Sequence, residues 1–150
     1  MPLLKQKVVA YITHEDRLLV FRHPAAPEAG IQVPAGTLHA GEPPAVGVMR
    51  EALEETGLPA LTLVRLLGEY VWDLAPLGLA ERHQRWVYHL RYEGEPPVTW
   101  RHAETDPSDG SVKPIVFEFA WVRVPQEVPL LSGDQGRWLP QLLESLSAPA

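Results

Sequence analysis

The sequence predicts an α/β fold in which a mixed β-sheet is packed between helices. Two observations carry that expectation. Patterns typical of strands and helices follow one another as strands, helix, strands, helix, an order that suits a sheet covered on both faces. The chain has 150 residues, 45% of them hydrophobic, which suits one globular core. Residues 1–150 are therefore read as a single domain.

Residues 5–13 (KQKVVAYIT) and 17–22 (RLLVFR) are β-rich runs, and the His14-Glu15-Asp16 segment between them reads as a hairpin turn. Residues 23–30, rich in proline and alanine, form a surface loop. Residues 31–36 (IQVPAG) are a short strand that leads into a loop. A helix is expected from about 44 to 56. Pro43 and Pro44 fall where a first turn tolerates missing N–H groups, Gly57 can take the left-handed position after the last turn, and Pro59 forbids continuation. On that helix Val46, Met49 and Leu53 make one stripe, flanked by Ala45 and Ala52, which is expected to face the core.

Residues 61–72 (LTLVRLLGEYVW) read as a strand with Gly68 as a bulge or bend, and residues 76–83 as a loop. Residues 84–92 (QRWVYHLRY) are a strand covered on both faces. The stretch 93–114 is long, polar and turn-rich, a candidate functional loop. Residues 115–124 alternate strongly and form the last strand. Leu139, Leu142, Leu143 and Leu146 follow at i, i+3, i+4 and i+7 in a packing helix over 134–147, with Pro140 in its first turn.

Composition excludes several function classes. A net charge of −6 and a pI near 5.5 leave no electrostatic footprint for duplex nucleic acid, and no DNA-binding domain is expected. With no cysteine there are no disulfides, thiolate nucleophiles or thiolate metal sites. No apolar run has the length of a membrane span and no signal peptide precedes the first strand, so a cytoplasmic protein is expected, without membrane partners.

The chemistry concentrates on the central helix. Glu51, Glu54 and Glu55, at i, i+3 and i+4, would repel one another unless a cation were present. Converging carboxylates suit a hard divalent ion such as Mg2+, which takes oxygen ligands and keeps waters for a phosphate substrate. Arg50 lies four residues before Glu54 and can pair with it.

From Gly36 to Leu58 the sequence resembles the Nudix box, Gly-x5-Glu-x7-Arg-Glu-U-x-Glu-Glu-x-Gly-U, where U is a bulky aliphatic residue. Gly36, Glu42, Arg50, Glu51, Glu54, Glu55 and Gly57 fill all seven fixed positions; Ala52 is the one soft departure, at an aliphatic position. At average usage the set arises by chance at roughly one in 10^8 per starting position. A solvated charged helix face would need neither Gly36 nor Glu42.

The resemblance implies the Nudix fold, an α/β/α sandwich. It also implies hydrolysis, with Mg2+ or Mn2+, of a pyrophosphate bond in a nucleoside diphosphate linked to another group. Carried over by position, Glu51, Glu54 and Glu55 are the metal ligands together with the Gly36 carbonyl, and Glu42 is a supporting carboxylate. The residue that orients the attacking water is Glu54 or Glu51, or a glutamate outside the box; Glu118, in an apolar strand, and Glu104, in the long stretch, are the outside candidates. Arg22 could meet a phosphate, and Trp72, Trp86, Tyr88 or Trp100 could stack on a base. The form Val33-Pro34-Ala35-Gly36 is closer to nucleotide-sugar and ADP-ribose pyrophosphatases than to triphosphate pyrophosphatases. Two other readings are set against the hydrolase. An isopentenyl diphosphate isomerase would need a cysteine, and a non-catalytic Nudix-like sensor module often lacks box glutamates. Many members of the family form homodimers, and nothing in the sequence decides that point.

Overall fold

The computed structural model describes residues 3–104 and 115–148. In chain order they form β1 (Leu3–His14), β2 (Arg17–Arg22), β3 (Ala35–Thr37), α1 (Pro44–Thr56), β4 (Leu61–Asp73), β5 (Glu81–Tyr92), β6 (Thr99–Glu104), β7 (Ile115–Arg123) and α2 (Leu139–Ser147). The described strands make one seven-stranded sheet in the order β4-β5-β1-β2-β7-β6, with β3 paired to β1 beside that path. The sheet is mixed because β1 runs parallel to β5 while its other pairings are antiparallel.

Alternation along β1 divides the core in two. Val8, Ala10 and Ile12 face α1, packing with Val48, Ala52, Phe117 and Phe119. Val9 and Tyr11 face the other way, toward α2, with Val33, Val87, Leu131 and Leu142. Leu142 is fully buried, and its burial contributes roughly 1.5–3 kcal/mol. The result is the expected sandwich of helix, sheet and helix.

Helix α1 has the expected bounds. Pro44 opens it, and Gly57, at φ 73°, closes it with its N–H on the Leu53 carbonyl at 2.8 Å. The predicted stripe holds in part: Ala52 is fully buried and Ala45 and Met49 pack on the core, whereas Val46 and Leu53 are 57% and 51% exposed and Val48 is buried in their place. A side chain at Gly47 would strike Leu38 and Glu42, and the buried arc extends from Val48 and Ala52 round to Glu51 and Glu55.

Three further boundaries differ or agree for physical reasons. In β4 the register shifts between Leu66 and Gly68, the expected bulge, and a side chain at Gly68 would strike the Trp138 ring. The stretch expected to be a long loop contains β6, an edge strand paired to β7 from Thr99↔Ala120 to Glu104↔Ile115. The Glu104 side chain and residues 105–114 lie outside the described residues. The last α-helix begins at Leu139 rather than 134, because Gly133 and Asp134 both take left-handed backbone angles in the turn before it. Among the described residues no helix is long and apolar enough to cross a membrane.

Candidate active site

Strand β3 places the box residues against one another. Its register with β1 pairs Gly36 with Val8 between two cross-strand bonds, Ala10 N–H to Pro34 O and Leu38 N–H to Gln6 O. By antiparallel alternation Gly36 therefore bonds inward to β1, while Ala35 and Thr37 present backbone groups to the free edge. Helix α1 satisfies them: the Ala35 N–H donates to Glu55 Oε2 at 2.9 Å, and Arg50 Nη2 donates to the Thr37 carbonyl at 3.2 Å. Gly36 itself is a close approach. A Cβ there would lie 2.1 Å from the Glu51 carboxyl carbon.

Arg50 organises the acidic side of the site. Its Nε and Nη2 fork onto the Glu42 carboxylate at 2.8 Å each, and Nη1 bridges Glu51 at 2.9 Å and Glu54 at 3.1 Å. Those hydrogen bonds, with one from the His39 N–H, hold the Glu42 carboxyl at about 2. Burial pushes the Glu51 carboxyl above its ordinary range, against the pull of Arg50. Glu51 and Glu55 are about 5% exposed, whereas the Glu54 side chain is 42% exposed at the lip.

The donor set fits a hard divalent cation. Glu51 Oε2 is buried without a hydrogen-bond partner and lies at the Gly36 close approach, an oxygen that only a cation or a water would satisfy. Among the described residues no three acidic or histidine side chains are already gathered as a finished cage. Arg50 Nη1 stands between Glu51 and Glu54 and supplies the positive charge there.

On the opposite face of the sheet, Lys7, His83 and Arg85 line a cavity of about 200 Å³ with Gln32, Gln135, Ala35 and Gly36. Parallel pairing sets Lys7 beside Arg85, both on the face of Val9 and Val87. Lys7 Nζ donates to Thr37 Oγ1 at 2.8 Å. Burial, with Lys5 and Arg85 nearby, lowers the Lys7 pKa, and burial likewise lowers that of His83, whose Nδ1 has no partner. A larger cavity of about 610 Å³ opens by the β1–β2 turn, lined by Arg17, Val98 and Trp121 but by no box residue.

The family model described as the NUDIX domain matches residues 3–142. The chain belongs to the NUDIX domain family. It is 34% identical to an RNA pyrophosphohydrolase from Agrobacterium fabrum (strain C58 / ATCC 33970), a match that spans 52% of this chain and 55% of that relative's length. A MutT NUDIX hydrolase from Burkholderia pseudomallei superposes with a TM-score of 0.66 at 28% identity, over 93% of this chain and 98% of that one. A bifunctional NMN adenylyltransferase/ADP ribose pyrophosphatase from Francisella tularensis, complexed with AMP and an Mn ion, shares the fold, with a TM-score of 0.61 at 18% identity. That match covers 97% of this chain and 43% of the larger protein.

Within the Nudix frame the remaining sequence candidates fall in different places. Arg22 and Glu118 meet across β2 and β7: Arg22 Nη2 reaches Glu118 Oε1 at 2.7 Å, and Arg101 Nη2 reaches Oε2 at 2.9 Å. Their hydrogen bonds hold the Glu118 carboxyl below the usual range and so reduce its basicity. Trp86 and Tyr88 face α1 with the core around Val8 and Ala10, on the sheet face opposite the Lys7 cavity. Trp100 stacks on Phe119, and its Nε1–H donates to the Thr56 carbonyl. Lys7, His83 and Arg85 were not singled out by sequence. Their signal is charge inside strand-like runs, Lys7 in residues 5–13 and Arg85 in residues 84–92; His83 falls in the stretch expected to be a loop, which β5 instead includes from Glu81.

Proposed function

We propose that this Nudix protein hydrolyses a pyrophosphate bond in a nucleoside diphosphate linked to another group, using Mg2+ or Mn2+. One observation carries the reading. At Gly36 the carboxylates of α1 and the cations of β1 and β5 approach β3 from its two sides, so a metal-bound polyphosphate at that edge would be neutralised from both. Glu51, Glu54 and Glu55 are the proposed metal ligands; the Gly36 carbonyl, which the resemblance names beside them, is turned toward Val8 by the β1–β3 register and is left out of the proposed set. A bound divalent ion would neutralise phosphate oxygens and lower the pKa of a water. Glu54, the most exposed box carboxylate, is the proposed group that orients the attacking water, because Glu118 is taken up by two arginines. Arg50 is a positioning residue that sets Glu51 and Glu54 relative to Glu42. Lys7 and Arg85 are the proposed phosphate contacts.

The similarity to an RNA pyrophosphohydrolase supports pyrophosphate chemistry and leaves the group beyond the pyrophosphate to experiment. The test is phosphate release, coupled to a phosphatase, from ADP-ribose, nucleotide sugars, dinucleoside polyphosphates, nucleoside triphosphates and a 5′-triphosphorylated oligonucleotide. Turnover of one class with Mg2+ or Mn2+, abolished by a chelator and by Glu54→Gln, is expected. Nucleotide binding without turnover in both wild type and Glu54→Gln would favour a sensor module and overturn the catalytic reading.

A further inference from the structure

The last turn of α1, which carries Glu54, is capped from outside the box. A helix leaves its last four carbonyls without intrahelical partners. At the end of α1 the Gly57 N–H serves Leu53, and the Leu58 N–H, which a further turn would give to Glu54, goes to Thr56 Oγ1 at 3.0 Å instead. Strand β6 supplies what is missing. Its register pairs Trp100 with Phe119 and His102 with Phe117, two core residues on the α1 side of the sheet, while Arg101 turns the other way with Glu118. From that face His102 Nε2 meets the Glu54 carbonyl at 2.9 Å, and Trp100 Nε1–H donates to the Thr56 carbonyl at 3.0 Å. A carbonyl only accepts, so the His102 proton is on Nε2. Gly57 makes room for this contact, since a Cβ there would lie 2.9 Å from His102 Cε1 and Nδ1. The Glu54 side chain, at the lip, has one hydrogen bond among the described residues, from Arg50 Nη1 at 3.1 Å.

We infer that His102 is a positioning residue for the reaction: by tying the Glu54 carbonyl to β6 it fixes where the most exposed box carboxylate stands. The inference rests on the pyrophosphate reading above, which makes Glu54 a metal ligand and the group that orients water. Glu54 is anchored twice, by its side chain to Arg50 and by its backbone to His102. The Arg50 bond is to the carboxylate that would face the cation, whereas the His102 bond is to the carbonyl and is kept whatever the carboxylate binds. Contacts of this outer kind tune metal affinity or activity by about 10- to 100-fold. Trp100 supplies the comparison, because it caps the same helix at Thr56, a residue with no proposed part in the chemistry.

The test reads Mn2+ affinity by calorimetry on the substrate-free protein, together with the melting midpoint and with kcat and KM on the best substrate of the panel. His102→Ala should weaken Mn2+ binding about tenfold and lower kcat to a similar degree, with KM little changed. His102→Gln, which keeps a neutral N–H donor, should restore most of both. In the Glu54→Gln background His102→Ala should cost no further Mn2+ affinity, because the residue acts through Glu54. Trp100→Phe keeps the stack on Phe119 and loses the cap, so it should lower the midpoint and leave Mn2+ affinity unchanged. If Trp100→Phe weakens Mn2+ binding as much as His102→Ala does, the caps only stabilise the helix and the inference is overturned. Unchanged Mn2+ affinity and kcat in His102→Ala would also overturn it, while the pyrophosphate reading stands. A wild type that neither binds Mn2+ nor turns over any substrate of the panel would overturn both.

Discussion

Replacing Gly36 by alanine puts a methyl group where the Glu51 carboxylate now lies. The new Cβ would stand 2.1 Å from Glu51 Cδ and 2.2 Å and 2.6 Å from its oxygens, against a lower limit of 3.0 Å for real contacts. The carboxyl carbon must therefore retreat by 3.0 minus 2.1, about 0.9 Å. Gly36 has ordinary backbone angles, so the whole effect is steric. Glu51 cannot swing into solvent, since its side chain is 6% exposed and Arg50 Nη1 holds one oxygen at 2.9 Å. A misplacement of that size at a reacting centre costs roughly 100-fold in turnover. The overpacking costs about 1–2 kcal/mol, or about 3–6 °C in melting midpoint for a domain of this length. Both are measured directly, as kcat on the best substrate of the panel and as a thermal melt. A companion variant separates them. Glu51→Asp withdraws the carboxylate by one carbon–carbon bond, about 1.5 Å. The pair Gly36→Ala/Glu51→Asp should regain the midpoint and not the turnover. Wild-type turnover and midpoint in Gly36→Ala would refute the argument that Glu51 is held against β3.

Three other outcomes are expected. Arg50→Lys keeps a charge but loses the fork on Glu42 and the bridge from Glu51 to Glu54, so activity should fall about 10- to 100-fold with secondary structure intact by circular dichroism. His89 is buried between Thr13 Oγ1 and Ser145 Oγ, and burial lowers its pKa from 6.5 to about 4. The unfolded chain thus takes up a proton that the folded chain refuses, and stability should be full above pH 6.5 and fall by up to about 3 kcal/mol as pH drops toward 4; urea melts of wild type against His89→Gln isolate this loss. Gly57→Ala forces a side chain onto a left-handed residue and to 2.9 Å from the His102 ring, and should lower stability by about 1–2 kcal/mol in the same melts.

Local signals were the readable part of this fold. Pro43, Pro44, Gly57 and Pro59 fix the ends of α1 because each acts on its own backbone, and the predicted bulge at Gly68 has the same character. The helix's rotation was readable only in part: Ala45, Met49 and Ala52 of the expected stripe pack on the core, but Val46 and Leu53 turn outward and Val48 inward, and periodicity cannot set that rotation without the partner surface. The edge strand β6 pairs with β7 alone and, apart from Trp100 and Ala103, is written in polar residues, so its composition resembles a loop. The box glutamates could be located by spacing, yet the division of labour among them could not. It depends on β3, which bonds Glu55 to a backbone N–H and leaves Glu54 at the lip. The Lys7 and Arg85 pair arises from parallel pairing of distant strands, which no local pattern records.

The free edge of β3 carries a consequence for handling the protein. An unpaired strand edge recruits other strands, and natural sheets blunt such edges with charge or with covering groups. Here the cover is supplied by Glu55 on the Ala35 N–H and Arg50 on the Thr37 carbonyl, two residues of the Nudix box. Truncating either to alanine would uncover a sticky edge as well as dismantle chemistry, so precipitation of such variants would imitate inactivity. Glu55→Gln keeps an acceptor oxygen for the Ala35 N–H and removes only the charge. It is the substitution that separates solubility from catalysis at this position.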